Sequence, residues 1–441
     1  MMRPSLLITL LALTVPAFAP NLAQGANLGE IFQLARDNDA KLAAARESYK
    51  AGQEKIVQGR SGLLPAVNLT ANLRHTDPES TAFGANNSAY NSRGYSLSLV
   101  QPIYRKQNLE TFAQGKLQAL LSEQELKLAE QDLMLRAASA YFDVLQAQDA
   151  LATAQAQKQA YAEQLAQARK SFEVGAATIT DTHEAQARFD LTTAQEIAAL
   201  NDLEVKRRSL EKIINREAPK LADLAEPAAM PQPDPNNMDA WVKQAEENSL
   251  SVLLNTTNLE INRREVERQR GGHFPTLDLS ASYSDNRNAT VGAVTGVDTK
   301  SAVLGLELGW VLYQGGGISS RVREAVANQE KARYDLDDAR RQARLDARQG
   351  FLGVQSGDAQ VKALEQALVS SEAQLKSTKL GLEVGVRTRV DVLNAQQQLF
   401  TTRRDLSAAR YRTLLAGLQL KGAAGSLNEA DLKALDALLK E

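Results

Sequence analysis

The sequence FEVGAATITD at residues 172–181 recurs as LEVGVRTRVD at residues 382–391, a spacing of 210 positions. The same spacing relates further pairs of identical or similar residues along the chain: Ala35 and Ala245, Asn38 and Asn248, Pro65 and Pro275, Tyr141 and Phe351. An internal repeat of this length predicts that the chain contains two copies of one structural plan.

A proline-rich segment separates the two copies. Residues 217–237 contain five prolines, which exclude a continuous helix and indicate a linker. We therefore predict a first repeat at 26–216 and a second at 238–420, followed by a C-terminal tail, 421–441, with a short helix.

The N-terminus has the pattern of a secretory signal peptide. Arg3 precedes a short apolar run, Leu6–Val15, and small residues follow it. A membrane anchor is the alternative, but this run is shorter than the about 20 apolar residues that span a bilayer as a helix. With Ala23 and Gly25 as the small residues of the processing site, we predict that residues 1–25 are removed.

Charge and cysteine content exclude several classes of protein. Lys and Arg number 51 and Asp and Glu number 53, so there is no basic excess to neutralise nucleic acid. The absence of cysteine excludes disulfides, thiolate nucleophiles and cysteine metal sites. No nucleic-acid partner is expected.

Each copy is expected to begin with a helical segment of about 35 residues, at 28–62 and 238–272, that stops at glycine before a proline. A pair of strands then follows, near 65–103 and 275–312. Apolar residues alternate with polar ones in all four strands: Val67, Leu69, Ala71 and Leu73; Tyr95, Leu97 and Leu99; Leu277, Leu279, Ala281 and Tyr283; Leu304, Leu306, Leu308 and Trp310. Polar loops at 75–94 and 284–301 are expected to join each pair and to face outside.

Long helices follow the strands. No proline interrupts residues 105–174 or 314–384, and about 70 residues at about 1.5 Å each give a rod of roughly 100 Å. The shorter segments 28–62 and 178–215 together match this length, so we predict that they stack end to end beside the rod. Apolar or small residues recur with a seven-residue rhythm typical of coiled coils: Ala154, Tyr161, Leu165, Ala168 and Phe172, with Lys158 the exception; Leu364, Leu368, Ser371, Leu375, Thr378 and Leu382; and Val392, Ala395, Leu399, Thr402, Leu406 and Ala409.

The number of strands points to an oligomer. Strands with one apolar face cross lipid only in a closed barrel, and the smallest such barrels have about 8 strands. Four strands per chain therefore require two chains or three, and the count alone does not choose between them. The alternative is a helical protein outside the membrane that carries two β-hairpins.

At this point the chain resembles the TolC family of outer-membrane efflux and type I secretion channels. The resemblance lies in the strand starts Leu64-Pro65 and Phe274-Pro275, the strand-to-helix joints 101–104 and 312–316, the repeated Val-Gly turn and the tail SLNEADLKAL from Ser426. It implies a mainly α fold: a homotrimer with a 12-stranded β-barrel in the outer membrane and a long periplasmic tube of coiled-coil helices. Because the chain lacks the cysteine of the lipoprotein branch, it resembles the non-lipoprotein branch.

The resemblance also implies partners and a function. The expected partners are a periplasmic adaptor (membrane fusion) protein, an inner-membrane transporter of the ABC or RND type, and outer-membrane lipid. The expected function is an export duct for small molecules or proteins that needs no cofactor.

The repeated turn supplies the candidate site. Gly175 and Gly385 end the long helices, and Thr178 and Thr388 begin the next, each followed three residues later by an aspartate, Asp181 or Asp391. One interpretation is that these aspartates only cap the helices. The resemblance implies a second role, in which they ring the periplasmic channel entrance and select cations.

The resemblance assigns two further residues to the entrance, Arg387 and Asn394. Arg387 matches a residue that ties the family's entrance shut through polar links. Leu382 and Asn394 replace a tyrosine and a second aspartate of the family pattern. The closed state is therefore expected to be held more weakly here.

Three aromatic residues stand at the strand-to-helix joints. Tyr104, Trp310 and Tyr313 suit the interfacial aromatic belt of a membrane protein, although ordinary packing is the alternative.

Enzymatic chemistry is not indicated. His75, His183 and His273 are widely separated and have no metal-ligand partners nearby in the sequence, and Gly315–Gly317 lacks the Lys-Ser/Thr ending of a phosphate loop. A non-enzymatic rival to the channel is a trimeric coiled-coil surface protein, which would share the signal peptide and heptads. Such a protein would not need two strand pairs that each lead into a helical hairpin.

Overall fold

The computed structural model describes residues 25–77, 79, 89–225, 230–291 and 294–439 of the chain. The predicted signal peptide lies outside these residues apart from Gly25, and its cleavage site stays a prediction.

The two copies have the same order of elements, which confirms the predicted structural repeat. The first consists of α1 (Leu28–Asn38), α2 (Ala40–Ser61), β1 (Ala66–Thr76), β2 (Tyr90–Tyr104), α3 (Lys106–Glu173) and α4 (Ile179–Ile214). The second consists of α5 (Met238–Asn248), α6 (Leu250–Arg270), a 3₁₀ turn (Gly271–His273), β3 (Thr276–Val291), β4 (Val294–Gly309), α7 (Gly317–Glu383) and α8 (Arg389–Ala423). A short helix, α9 (Glu429–Asp436), lies in the C-terminal tail.

The entry segment of each copy is two helices, and the expected single helix of about 35 residues is wrong. Asp39 takes an extended conformation between α1 and α2, and its Oδ1 accepts from the Leu42 amide at 2.8 Å. Because this carboxylate caps a new helix, the chain restarts there instead of continuing. Ser249 occupies the corresponding break between α5 and α6.

Asp39 also anchors the break to the long helix. Arg136 on α3 donates to both of its carboxylate oxygens, at 3.0 and 3.1 Å. Burial opposes the charge on Asp39, but the Arg136 guanidinium and the Leu42 amide outweigh burial and hold the pKa of this carboxyl below its ordinary value.

The four predicted strands form one antiparallel sheet in the order β1-β2-β3-β4. The register places Val67 opposite Leu99, Leu99 opposite Ala281, and Ala281 opposite Leu304, so apolar residues align across all four strands. This face is strongly exposed in the single chain: Leu304 is 75% exposed and Leu306 and Leu308 are each 70% exposed. Such a continuous apolar surface marks a place where another apolar phase or molecule binds.

The strands extend further than the sequence suggested. Most of the predicted loop 284–301 is strand, because β3 and β4 remain paired up to Val291 and Val294. Polar residues such as Asn286 and Thr299 pair across this hairpin and continue the ladder beyond the apolar rows. In the first copy, β1 and β2 pair as far as Thr76 and Tyr90.

Two shorter helices, α2 and α4, lie end to end along α3, so the predicted stacking holds for residues 40–61 and 179–214; α1, which was expected in the same line, packs against α3, α4 and α9 instead. Asn108 near the start of α3 donates to the Gly62 carbonyl just after α2, and Arg136 meets Asp39 at the other end of α2. The helix α4 packs along the remainder of α3. Lys206 on α4 pairs with Asp143 on α3 at 3.1 Å, and Arg169 on α3 donates to Gln186 on α4 at 2.6 Å. With 68 residues in α3 and 67 in α7, each rod is about 100 Å long.

The coiled-coil seam is well buried on α8. All six of its predicted positions, from Val392 to Ala409, are buried, and so are Ala154, Tyr161, Leu165 and Ala168 on α3. Phe172 is 44% exposed at the end of the rod. Lys158, the exception in the heptad, pairs with Glu196 on α4 at 2.7 Å, so its charge is neutralised by an ion pair between α3 and α4.

The largest core lies near the middle of α3, where α1, α4, α8, α9 and the proline-rich segment meet. Tyr141 is fully buried there and donates to the Ala222 carbonyl at 2.8 Å, which joins α3 to the segment between the repeats. Within the described ranges, no helix combines the length and apolar character needed to cross a membrane.

Candidate functional site

The tip of each helical hairpin is a tight turn built on glycine. Gly175 has a φ of 71° and Gly385 a φ of 77°, a left-handed conformation that residues with a Cβ rarely adopt. At the first tip the Ala176 amide donates to the Ser171 carbonyl at 2.7 Å, and at the second the Val386 amide donates to the Gly381 carbonyl at 2.9 Å. These bonds satisfy carbonyl groups in the last turns of α3 and α7, and the chain reverses direction there.

The next helix starts with a reciprocal cap at both tips. The Asp181 amide donates to Thr178 Oγ1 at 3.2 Å, and Asp181 Oδ2 accepts from the Thr178 amide and hydroxyl, both at 3.0 Å. Asp391 and Thr388 repeat this arrangement, with 3.2 Å for the amide and 2.9 Å for the two bonds to Oδ2. The two aspartates therefore are helix caps in the single chain.

Capping uses only half of each carboxylate. Within the described residues Oδ1 of Asp181 and of Asp391 accepts no hydrogen bond, and both side chains are partly exposed at the tips. The Thr388 amide and hydroxyl lower the pKa of Asp391, with a smaller contribution from Arg387, so this carboxylate stays ionised to unusually acidic pH. A cap and a fixed negative charge are thus compatible at the same residue.

Three of the predicted entrance residues meet on the second tip. Arg387, Asp391 and Asn394 line an open cavity of about 900 Å³ between α7 and α8. The Arg387 side chain lies over Gly381, where a Cβ would come within 2.7 Å of its Cγ. In the described part of the chain the guanidinium of Arg387 makes no hydrogen bond or ion pair. Asp181 lies on the other tip and does not line this cavity.

Arg188 is a site residue that the sequence did not reveal. From α4 it donates to Asn394 Oδ1 on α8 at 3.2 Å and also to Gln397 Oε1, and it pairs with Glu184 at 3.4 Å. A second link joins the two hairpins, since Arg389 Nη2 on α8 donates to Ser171 Oγ on α3 at 2.6 Å. Asn394 was identified from the sequence as an entrance position, but the sequence alone did not identify its partner.

The three predicted interfacial aromatics lie at the helix-proximal end of the sheet. Tyr104 is the last residue of β2, and Trp310 and Tyr313 follow β4. All three are exposed, Tyr313 at 86%. Trp310 Nε1 donates to the His273 carbonyl at 3.1 Å, so its polar edge is satisfied while the ring stays outside the core.

The histidines do not converge on a site. His75 Nδ1 lies 2.8 Å from Asn91 Oδ1 on the neighbouring strand, in an exposed polar pair. Among the residues that the structure describes, no group of three or more His, Cys, Asp or Glu side chains is arranged to hold a metal ion.

Comparison with known proteins agrees with this architecture. The sequence profile of the family "Outer membrane efflux protein" matches twice, at residues 31–216 and 241–426. The chain is 33% identical to "Outer membrane protein TolC" of Vibrio cholerae over 418 residues, which cover 94% of each protein. It is 32% identical to "Proteases secretion protein PrtF" of Dickeya chrysanthemi, over 99% of this chain and 95% of that protein.

Solved structures show the same fold at low sequence identity. The outer membrane protein VceC from Vibrio cholerae aligns with a TM-score of 0.76 and 16% identity over 90% of this chain and 96% of that one. The Campylobacter jejuni CmeC outer membrane channel aligns with a TM-score of 0.78 and 16% identity, over 94% of this chain and 89% of that one.

Proposed function

The chain belongs to the Outer membrane efflux protein family, and we propose that it forms a homotrimeric export duct through the outer membrane and the periplasm. Membership places it among outer-membrane channels of the TolC type.

The open sheet supports an oligomer, and the resemblance to the TolC family selects three chains over two. Its edge strands, β1 and β4, have one side unpaired in the single chain, and its apolar face is exposed. Unpaired backbone groups at an open edge are not tolerated in hydrocarbon. If β1 of one chain pairs with β4 of the next, three chains close a barrel of 12 strands and leave no edge.

We place the periplasmic entrance at the two hairpin tips. On a threefold axis, Asp181 and Asp391 from three chains supply six carboxylates around one opening. Each carboxylate keeps one oxygen free of the cap, and clustered negative charge in a narrow opening favours cations. Arg387, which has no ion-pair partner in the described chain, is free to make polar links across the entrance.

The relatives suggest the cargo and the partners. PrtF and the "Alkaline protease secretion protein AprF" of Pseudomonas aeruginosa are named for protein secretion, and each is 32% identical to this chain. We propose that this chain also serves secretion or small-molecule efflux, in contact with a periplasmic adaptor and an inner-membrane ABC or RND transporter. It carries out no catalysis in this scheme, because the pump supplies the energy.

The direct test is the oligomeric state in the membrane. Detergent extracts of outer membranes should contain a trimer that dissociates to monomers on heating, and the mature chain should begin near Ala26. A monodisperse monomer in detergent-free buffer would contradict the proposal. An isolated stalk-like trimer without pore conductance would favour the coiled-coil surface protein instead.

A further inference from the structure

A group of basic residues borders the apolar face of the sheet at the end distant from the helices. On β4 this face carries Lys300, then Ala302, Leu304, Leu306 and Leu308 at alternate positions. The neighbouring strands bring Arg287 on β3 and Arg93 on β2 to the same face by the same alternation. We call these residues, Arg93, Arg287 and Lys300, the outer cationic cluster.

The cluster lies at the height of a membrane boundary. Lys300 and Trp310 are ten residues apart. At about 3.3 Å per residue and a tilt of about 40°, ten residues span roughly 25 Å, the height of the apolar band of an outer-membrane barrel. Trp310 marks the periplasmic edge of that band. The tyrosine pair Tyr95 and Tyr283, with ring centres 6.2 Å apart, lies beside the cluster at the opposite edge.

The cationic charges are poorly neutralised by the chain. Arg287 and Lys300 share Asp285, each at 3.8 Å, near the limit of an ion pair. Arg93 makes no hydrogen bond or ion pair within the described residues, although it lies directly opposite Arg287 in the register. Like charges in directly opposed positions destabilise a sheet.

Within the described strands, one further acidic residue shares this face. Asp298 lies two positions from Lys300, and its carboxylate accepts from the Asn288 amide at 3.0 Å. Among the strand residues that the structure describes on this face, three cations stand against Asp285 and Asp298, an excess of one positive charge next to Arg93.

We infer that the outer cationic cluster binds the phosphate of a membrane lipid in the outer leaflet, with Arg93 as its principal ligand. Guanidinium groups bind phosphate oxygens in a bidentate manner, and the apolar rows below the cluster would contact the acyl chains of the same lipid. A phosphate between Arg93 and Arg287 would also remove their repulsion. This inference rests on the proposed position of the strands in the outer membrane.

The test uses the full-length trimer in detergent and follows lipid binding by native mass spectrometry. Diphosphoryl lipid A, monophosphoryl lipid A and a fully dephosphorylated form differ only in phosphate, so they separate head-group recognition from acyl-chain contact. We expect affinity to fall in that order. Because Arg93 has no partner to lose, Arg93→Gln should leave the trimer intact and weaken binding of diphosphoryl lipid A about five-fold.

Arg74→Gln is the matched control. Arg74 is opposite Ser92, on the other face of the same hairpin, so this change removes one charge without touching the cluster, and binding should stay at the wild-type level. Equal affinity for the phosphorylated and dephosphorylated lipids would overturn the inference, as would equal losses in Arg93→Gln and Arg74→Gln. Stabilisation of the trimer by inorganic phosphate alone, to the same extent as by lipid, would indicate a site for free anions and also overturn it.

A gel of the same sample distinguishes failure of this inference from failure of the proposed function. If no heat-sensitive trimer is present before lipid is added, the proposed channel fails. If the trimer is present and lipid phosphate has no effect, only the inference fails.

Discussion

Arg188 on α4 donates from Nη2 to Asn394 Oδ1 on α8 at 3.2 Å, and this bond ties the two helical hairpins of one chain together close to their tips. The same guanidinium donates to Gln397, one turn further along α8. The amide of Asn394 is neutral, so in this link a neutral oxygen accepts a bond from a cation. The link is therefore a hydrogen bond and not an ion pair.

Removing this link should loosen the entrance. A neutral acceptor makes a hydrogen bond worth about 1 kcal/mol, and a loss of that size changes the ratio of closed to open entrance about five-fold. Arg188→Ala should therefore raise the mean single-channel conductance in planar bilayers.

Arg169→Ala is the control for Arg188. Arg169 donates to Gln186 within the first hairpin and does not reach the second, so its removal should leave conductance unchanged. Equal conductance in Arg188→Ala and wild type would show that the Arg188 link does not hold the entrance.

Arg387 tests the contacts between chains. In the described chain its side chain lies over Gly381 and makes no hydrogen bond or ion pair, so we expect its polar links across the entrance to be with neighbouring chains. Arg387→Ala should raise conductance without lowering the melting temperature of the trimer by more than a few degrees. If Arg387→Ala conducts no better than wild type, the entrance is held elsewhere, and the links made by Arg188 and Arg389 become the candidate restraints.

Glu265 on α6 predicts an acid-dependent loss of stability below the barrel. Its carboxylate accepts from Arg268 at 2.7 Å, from Gln114 at 2.9 Å and from Gln269 at 2.6 Å. Burial opposes the charge, but these bonds outweigh it and lower the pKa of Glu265 from 4.5 to about 2. A lowered folded-state pKa means that the stabilisation is complete above pH 4.5 and is lost as the pH falls towards 2.

Glu265→Gln should lower the melting temperature of the trimer at pH 7 by roughly 2–4 °C, and this difference from wild type should shrink at pH 3. Thermal melting at the two pH values measures both effects. Glu123→Gln, which removes one half of the exposed pair with Lys127, should change little at either pH. A difference for Glu265→Gln that grows on acidification would contradict the assigned sign.

The sequence predicted the features that depend on periodicity and spacing. The two repeats, the four strands, the long rods and the buried α8 seam from Val392 to Ala409 follow from patterns that repeat over many residues. The glycines and caps at the tips were also recognisable, because a left-handed turn and a Thr-Asp cap need particular residue types.

Two kinds of feature were not predicted: breaks within otherwise helical segments, and contacts that depend on how the helices pack. The breaks at Asp39 and Ser249 interrupt segments that otherwise have helical patterns, and in the first copy the deciding contact is with Arg136, almost 100 positions away. The bond between Arg188 and Asn394 depends on how α4 is rotated against α8. No local pattern in either helix specifies that rotation.

The entrance carboxylates give the most direct test of the channel. In Asp181→Asn/Asp391→Asn, each amide oxygen can still accept from the threonine amide, so the caps and the stability of the trimer should be nearly unchanged. The six negative charges proposed for the trimer would be absent, and a preference for cations that depends on them should collapse.

Single-channel recording of purified trimers in planar bilayers, with a salt gradient to measure the reversal potential, decides the matter. The account predicts cation-selective pores for wild type and pores of intact stability with little cation preference for Asp181→Asn/Asp391→Asn. Wild-type trimers that form no pores, or a double variant whose reversal potential equals that of wild type, would contradict it.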